Sequence, residues 1–219
     1  MAFGSHWEWR GFGGVDGVFV DCYSALPIVS EVHRQVDQYI YVPGLKTNLK
    51  IRNGEESGLK FKQFNKNEGE FELWSEYEDE LFDFPISTSA RDLLQKTLNE
   101  SELGPIKSIP SKVHSSKDTL AWLREIGCRI IQVEKTREIR KLNSNNDSTF
   151  VEWTCIYEPQ ALNSISLESM SFEETDQQSS LHSLENVRAA YRDLELHRLP
   201  LIVNSYLDAV AIWSKSNKI

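Results

Sequence analysis

The 219-residue chain holds only three cysteines and two methionines, and it has no apolar run near the roughly 18 residues of a membrane-spanning helix. Cys22, Cys128 and Cys155 are too few and too scattered for a disulfide framework or a zinc cluster, and reduced, buried thiols are expected. Basic residues are outnumbered: 24 Lys and Arg face 33 Asp and Glu, a formal net charge of −9. That balance argues against general nucleic-acid binding, because phosphate backbones reward a basic surface. It leaves room for a local basic pocket. The N-terminus shows no charged-then-apolar signal pattern, so a cytoplasmic protein is expected. No serine stands in a nucleophile elbow and no cysteine has a partner pattern, so a catalytic triad has no support. Gly11, Gly13, Gly14 and Gly17 do not make a dinucleotide fingerprint, since Asp16 interrupts them and no strand–glycine–helix unit surrounds them. They are read as a turn-rich connection.

What is present is alternation. Side chains of a strand point to opposite faces in turn. In Leu49-Lys50-Ile51-Arg52 and Leu59-Lys60-Phe61-Lys62, one face is therefore apolar and the other basic, with a Gly54-bearing turn between them. The basic face is either solvated or built to hold an anion. His6, Glu8 and Arg10 share one face of an earlier strand, with Trp7 and Trp9 on the other. Glu31 to Val42 reads as a strand ended by Pro43-Gly44. The charge then inverts: Glu68 to Asp83 carries eight carboxylates and no Lys or Arg. There Glu70, Glu72, Trp74, Glu76 and Glu78 alternate with Phe71, Leu73 and Tyr77. An acidic strand after a basic hairpin is cross-strand pairing or the wall of a charged cavity.

Helices come next. Ser89-x-x-Asp92 and Ser115-x-x-Asp118 have the spacing of capping boxes, and Gly127 suits a helix C-terminus. Arg129 to Lys141 reads as a strand with Lys135 and Arg137 on one face. A polar turn over Asn143 to Ser148 leads to strands over Phe150 to Tyr157 and Ser164 to Phe172. The tail reads as two helices, Leu184 to Leu196 and Leu201 to Trp213, parted at Pro200. The six tryptophans are expected in the core and at strand rims.

In this order the fragments resemble the CYTH family, the triphosphate tunnel metalloenzymes, over nearly the whole chain. His6-x-Glu8-x-Arg10 is similar to the family's opening Glu-x-Glu-x-Lys. Leu49-Lys50-Ile51-Arg52, Leu59-Lys60-Phe61-Lys62, the Glu-rich strand, Ile126-Gly127, Lys135-x-Arg137, Glu168-x-Met170 and Ser205-Tyr206 resemble the motifs that follow. The resemblance implies an α+β fold: one domain over residues 1–219, an antiparallel barrel of about eight strands whose inward side chains line a tunnel. Flanking helices include a C-terminal pair from about residue 184 to 215.

It further implies a divalent-metal-dependent phosphohydrolase acting on an inorganic or organic triphosphate. Glu8 and Glu168 are then the catalytic metal ligands, supplemented by Glu76 or its neighbours Glu72 and Glu78, for Mg²⁺ or Mn²⁺. Arg10, Lys50, Arg52, Lys60, Lys62, Lys135 and Arg137 are expected to hold the substrate, since fixed Arg and Lys donors compensate the desolvation of a polyanion. Hard divalent ions take carboxylate oxygens. Two positions depart from the pattern: His6 and Met170 stand where the family has Glu. The alternative is therefore a non-catalytic module that binds a polyphosphate, nucleotide or other anion. A cyclase, as in some relatives, would need a base-recognition pocket that the sequence does not reveal.

Overall fold

The computed structural model describes residues 3–53, 58–77, 81–111, 113–144, 147–170 and 177–216. Its strands are β1 (Phe3–Gly13), β2 (Ile28–Tyr41), β3 (Thr47–Asn53), β4 (Gly58–Glu68), β5 (Phe71–Tyr77), β6 (Arg129–Ser144), β7 (Asp147–Glu158), β8 (Leu162–Met170) and β9 (Leu201–Val203). The helices are α1 (Gly17–Ser24), α2 (Thr88–Asn99), α3 (Ser116–Glu125), α4 (Gln177–Asp193) and α5 (Tyr206–Ser216). Hydrogen bonding runs β5-β4-β3-β2-β6-β7-β8-β1, and β5 pairs back onto β1. The result is a closed antiparallel barrel of eight strands, of class α+β, with five flanking helices among the described residues. β1 is its seam. One edge pairs with β8; the other serves β5 over Phe3–Glu8 and then β9 over Gly11–Gly13.

By contact density the chain forms two compact units. The first comprises Met1–Arg34, Phe64–Glu78 and Glu134–Ser205. Period-two alternation decides its layering. Trp7 and Trp9 on β1, Val151 on β7, and Ile165 and Leu167 on β8 all fall on one face and are at most 2 % exposed. Phe19 and Tyr23 of α1, and Leu184, Val187 and Ala190 of α4, join them in one core. Trp9 meets Tyr191 at 5.0 Å between ring centroids, and the Trp7 indole N–H donates to Ser180 Oγ. Burying two indoles is worth several kcal/mol, of the order lost in aromatic-to-alanine core changes. The opposite face of these strands, away from the helices, is the inner one, and it carries His6, Glu8 and Arg10.

The second unit comprises Gln35–Gln63, Asp79–Val133 and Tyr206–Ile219. Its apolar face is the one expected: Leu49, Ile51, Leu59 and Phe61 are all at most 3 % exposed. Leu94 and Leu98 of α2 and Leu123 of α3 are fully buried in the same unit. Phe82 meets Phe61 edge to face and exchanges both backbone hydrogen bonds with Leu59, extending the pairing at that strand. α5 brings Tyr206 to stack on Tyr39, with centroids 5.2 Å apart.

Several expectations need correction. Residues 17–24 form a helix, capped by Asp16 accepting from the Phe19 N–H, where a glycine-rich connection was expected. The glycine spacing concealed the short apolar run Val18-Phe19-Val20. Ser87, not Ser89, caps α2 by accepting from Ala90 N–H. Ser115 and Asp118 do form the reciprocal capping box of α3, and Gly127 turns out of it with φ +99°. Leu201–Val203 is a strand on β1, not the start of a helix, because Gly11 to Gly13 offers an unpaired edge there. Cys22 is an exposed thiol; Cys128 is buried and Cys155 half-buried, and burial pushes the Cys128 thiol up to about 12. β6 and β7 run further into the expected polar turn, to Ser144 and from Asp147. Gly54 and Glu78 lie outside the described residues, as does the Met170 side chain. No described helix is long and apolar enough to cross a membrane.

The β1–β9 seam depends on Gly13. A Cβ there would stand 2.3 Å from the Pro200 carbonyl oxygen, at a φ of +154° that side chains rarely adopt. Gly13→Ala should lower stability by about 2 kcal/mol or more. Gly17→Ala, with nothing within 4 Å, should stay within about 0.5 kcal/mol of the parent. Urea unfolding of the two variants checks the contrast; equal midpoints would remove the steric account of the seam.

Candidate functional site

On the inner face of the first unit, β1 sets three polar side chains two residues apart. Its neighbours then align theirs. Glu8 lies directly across from Glu72 of β5 on one side and Glu168 of β8 on the other. His6 is flanked in the same way by Trp74 and Met170, and Arg10 faces Ser166. His6, Glu8 and Arg10 are each no more than 6 % exposed. Three carboxylates side by side on adjacent strands repel one another, so a cation has to be near.

Arg10 is that cation. Its Nε donates to Glu8 Oε1 at 2.8 Å, and its Nη1 donates to Ser164 Oγ at 3.1 Å and to Glu152 Oε1 at 3.4 Å. Its Nη2 lies 3.8 Å from Glu168 Oε1. One guanidinium thus touches three carboxylates, a task suited to its planar fork of donors. Glu72 Oε2 accepts from the Trp74 indole N–H at 3.0 Å.

Glu152 of β7 ties this group to β6. Arg137 Nε is 3.3 Å from Glu152 Oε2, and Thr154 Oγ1 donates to Glu152 Oε1 at 2.9 Å. Burial by itself would raise the Glu152 pKa, but the charges of Arg137, Arg10 and Lys135 outweigh it and hold the carboxyl well below the usual range. Lys135 is only 2 % exposed.

Beside the Arg10 network lies a potential metal-ligand set. One donor atom from each of His6, Glu8 and Glu168 falls within 4.8 Å of the others. Glu8 Oε2 is 3.8 Å from His6 Nε2, and that nitrogen is buried without a hydrogen-bond partner. Glu76, the other metal ligand expected from sequence, pairs across from Gly4, two positions beyond the His6–Trp74 pair.

In the second unit, Lys50, Arg52, Lys60 and Lys62 share one face, since Lys50 lies opposite Lys60 and Asn48 opposite Lys62. The same face of β2 carries Asp37, opposite Arg52 and fully buried. Asp37 Oδ2 accepts from Lys50 Nζ at 2.9 Å, while its Oδ1 accepts from Gln35 Nε2 and lies 3.6 Å from Arg52 Nε. Lys50 also stands over the Tyr39 ring at 5.2 Å. On β2 to β4 of this unit, four cations share a face with one carboxylate.

The structure therefore brings Glu8, Glu168, Arg10 and Arg137 together in the first unit, with Lys135 among the charges acting on Glu152. Lys50, Arg52, Lys60 and Lys62 gather in the second. Sequence reasoning missed Glu152 and Asp37, the two carboxylates around which these cations are arranged. Each carried a signal: Glu152 stands alone in the apolar run Phe150 to Tyr157, and Asp37 interrupts Val36 and Tyr39. A lone carboxylate within an apolar strand is rarely buried without a paired cation.

No family model and no curated protein matches this chain. Among solved structures it is similar to a conserved hypothetical protein from Pyrococcus furiosus, at TM-score 0.51 and 15 % identity over 92 % of this chain and 98 % of that one. A protein from Pyrococcus horikoshii OT3 superposes at TM-score 0.50 and 11 % identity, over 94 % and 98 % of the two chains. These likenesses show the fold alone. A candidate adenylate cyclase from Bacillus halodurans gives TM-score 0.46 and 13 % identity over 91 % and 95 %. At that level the likeness says nothing of activity.

Glu152 offers a direct test of the charged network. Its folded-state pKa is depressed, so its contribution to stability is complete above its ordinary value of 4.5 and drains away as pH falls from there toward the folded-state value. Glu152→Gln should cost about 3 kcal/mol at pH 7, because the buried Arg10 and Lys135 and the half-buried Arg137 lose their shared anion. The variant should also show a shallower loss of stability than the parent below pH ~4.5, where the parent is giving up this term. Urea unfolding at pH 7 and across the acid range measures both; parallel pH profiles would show that Glu152 does not hold the network.

Proposed function

We propose that the inner face of the first unit binds the phosphoryl end of a triphosphate, inorganic or organic, together with a divalent cation, and hydrolyses the terminal phosphoryl group. The observation that carries this reading is the juxtaposition of a His6–Glu8–Glu168 donor set with the Arg10–Arg137–Lys135 group on the same barrel face. The donors fit a divalent ion. Two carboxylates supply charge, and a buried imidazole nitrogen supplies a lone pair that no protein donor takes up. Metal–ligand bonds of about 2.0–2.2 Å place opposed donors no more than about 4.4 Å apart. The trio, spread up to 4.8 Å, would have to draw in by a few tenths of an ångström. A bound divalent ion would polarise the phosphoryl oxygens and lower the pKa of a coordinated water.

The chain's own residues do the rest. Arg10 Nε holds one Glu8 oxygen, which fixes the carboxylate plane with its second oxygen directed toward His6. Arg137 and Lys135 supply positive charge for the equatorial oxygens of the transferred group, where phosphoryl-transfer catalysis is mostly positioning and charge neutralisation. Glu152 keeps those cations compensated while no anion is bound, which removes the cost of leaving buried charges unpaired. Lys50, Arg52, Lys60 and Lys62, the cation set of the second unit, are proposed as further anion-holding groups.

One observation favours a second reading, a module that binds an anion without hydrolysing it. Arg10 already contacts both Glu8 and Glu168, so an internal cation supplies part of the charge a metal would bring. Phosphate release from inorganic triphosphate with Mg²⁺ and with Mn²⁺ separates the two. The hydrolase reading expects metal-dependent release, lowered at least about 100-fold in Glu8→Gln, the scale of losing one preorganised charge-stabilising group, with anion affinity largely kept. Arg52→Ala combined with Lys60→Ala should weaken triphosphate binding while circular dichroism is unchanged. A parent that binds triphosphate yet releases no phosphate with either metal overturns the hydrolase reading in favour of the binding module.

A further inference from the structure

We infer that His6 makes this centre selective for a borderline transition cation, of the Mn²⁺, Co²⁺ or Zn²⁺ type, over Mg²⁺. The inference rests on the reading of His6, Glu8 and Glu168 as a metal centre. It concerns the choice of ion, which that reading leaves open.

Three features of His6 carry it. The first is its place in the fold: alternation along β1 puts its ring on the same inner face as Glu8 and Arg10, between Trp74 and Met170 of the adjoining strands. The second is burial: the residue is 4 % exposed, so water cannot readily satisfy its ring nitrogen. The third is that Nε2 has no hydrogen-bond partner, although Glu8 Oε2 stands 3.8 Å away. That separation is too long for a hydrogen bond and about right for two donors converging on a common centre. A buried polar atom left unpaired costs roughly 1–3 kcal/mol. Any ion that accepts this lone pair recovers that cost; an ion that avoids imidazole does not.

Mg²⁺ is such an ion. It is hard, holds its waters tightly, and binds through carboxylate oxygens. With Mg²⁺ the centre would offer only Glu8 and Glu168, both of which also lie against the Arg10 guanidinium. Transition cations accept imidazole nitrogen alongside carboxylate, and their affinities rise from Mn²⁺ through Co²⁺, with Zn²⁺ also bound strongly. One neutral nitrogen and two carboxylates give a bound M²⁺ a formal charge near zero before Arg10 is counted. The same three ligands leave coordination positions open for water or a phosphoryl oxygen, as in catalytic rather than structural zinc centres.

The test needs no substrate. Co²⁺ is titrated into the full-length protein and followed by its visible absorption, which reports nitrogen ligation; Mn²⁺ binding is followed by electron paramagnetic resonance; Mg²⁺ is then added as competitor. Co²⁺ and Mn²⁺ should bind at least about tenfold tighter than Mg²⁺, in line with the preference of imidazole donors. His6→Gln and His6→Ala should each weaken Co²⁺ binding by about 10- to 100-fold, the scale on which ligand-shell changes act, and alter the absorption band. His6→Glu should raise Mg²⁺ affinity and narrow the Co²⁺/Mg²⁺ ratio. His33→Ala, which removes an exposed histidine, should leave all three unchanged. Circular dichroism checks the fold of each variant, and the competition in the parent stands without any of them. Mg²⁺ displacing Co²⁺ at equal concentration, or a folded His6→Ala that binds Co²⁺ as tightly as the parent, would overturn the inference. Selective, His6-dependent binding without phosphate release would sustain it while removing the hydrolase reading. Phosphate release that is equal with Mg²⁺ and Mn²⁺ and indifferent to His6→Gln would do the reverse.

Discussion

A single buried guanidinium governs the inner face of the first unit. Arg10 is 6 % exposed, and it touches Glu8, Glu152 and Glu168, carboxylates contributed by three different strands. Removing an ion from water costs several kcal/mol, and only close, well-directed partners recover that cost. Glu8 gains most from that arrangement, since it is buried directly between Glu72 and Glu168, while Glu152 is held by Arg137 and Lys135 as well. The charges stabilise one another only as a set. This explains why the register of β1 against β8 matters: a slip of one residue would swap Arg10 and Glu8 for Trp7 and Trp9.

The hydrophobic layer enforces that register from the other side. Trp7 and Trp9 are locked beneath α1 and α4 by Phe19, Tyr23, Leu184 and Val187. Tyr23 adds a hydrogen bond to the Glu138 carbonyl, and the Arg140 guanidinium stands over its ring at 5.1 Å. The two faces of one strand therefore cooperate. Apolar burial supplies the free energy, while the polar face supplies a penalty for every wrong alignment. The second unit repeats the device around Asp37, with Lys50 and Arg52 as its partners and Ile51 and Leu59 fully buried on the reverse side.

Some expectations failed for identifiable physical reasons. Leu201–Val203 adjoins the apolar run of α5, which draws it into a helical reading, but two of its three residues are β-branched, and the edge left open on β1 offers the backbone hydrogen bonds that make it a strand. Residues 17–24 were hidden by glycines, whose usual role as punctuation masks a helix that Asp16 caps. Cys22 is exposed because it lies on the outer side of that unforeseen helix. In each case a local signal was read correctly as chemistry and wrongly as structure.

From the sequence alone one could determine which residues share a face. Period two is a property of the extended backbone, so the partition of Lys50 and Arg52 from Leu49 and Ile51, or of Glu8 and Arg10 from Trp7 and Trp9, needs no tertiary knowledge. Tertiary structure alone decided which carboxylate each cation meets. Glu152 and Asp37 are 142 and 15 residues from Arg10 and Arg52 in the chain, and their pairing depends on strand order and register that no local pattern encodes. The same holds for His6. Its identity was legible at once, but its buried, unpartnered nitrogen beside Glu8 and Glu168 exists only because β8 closes against β1 and the outer core excludes water from the strand between them.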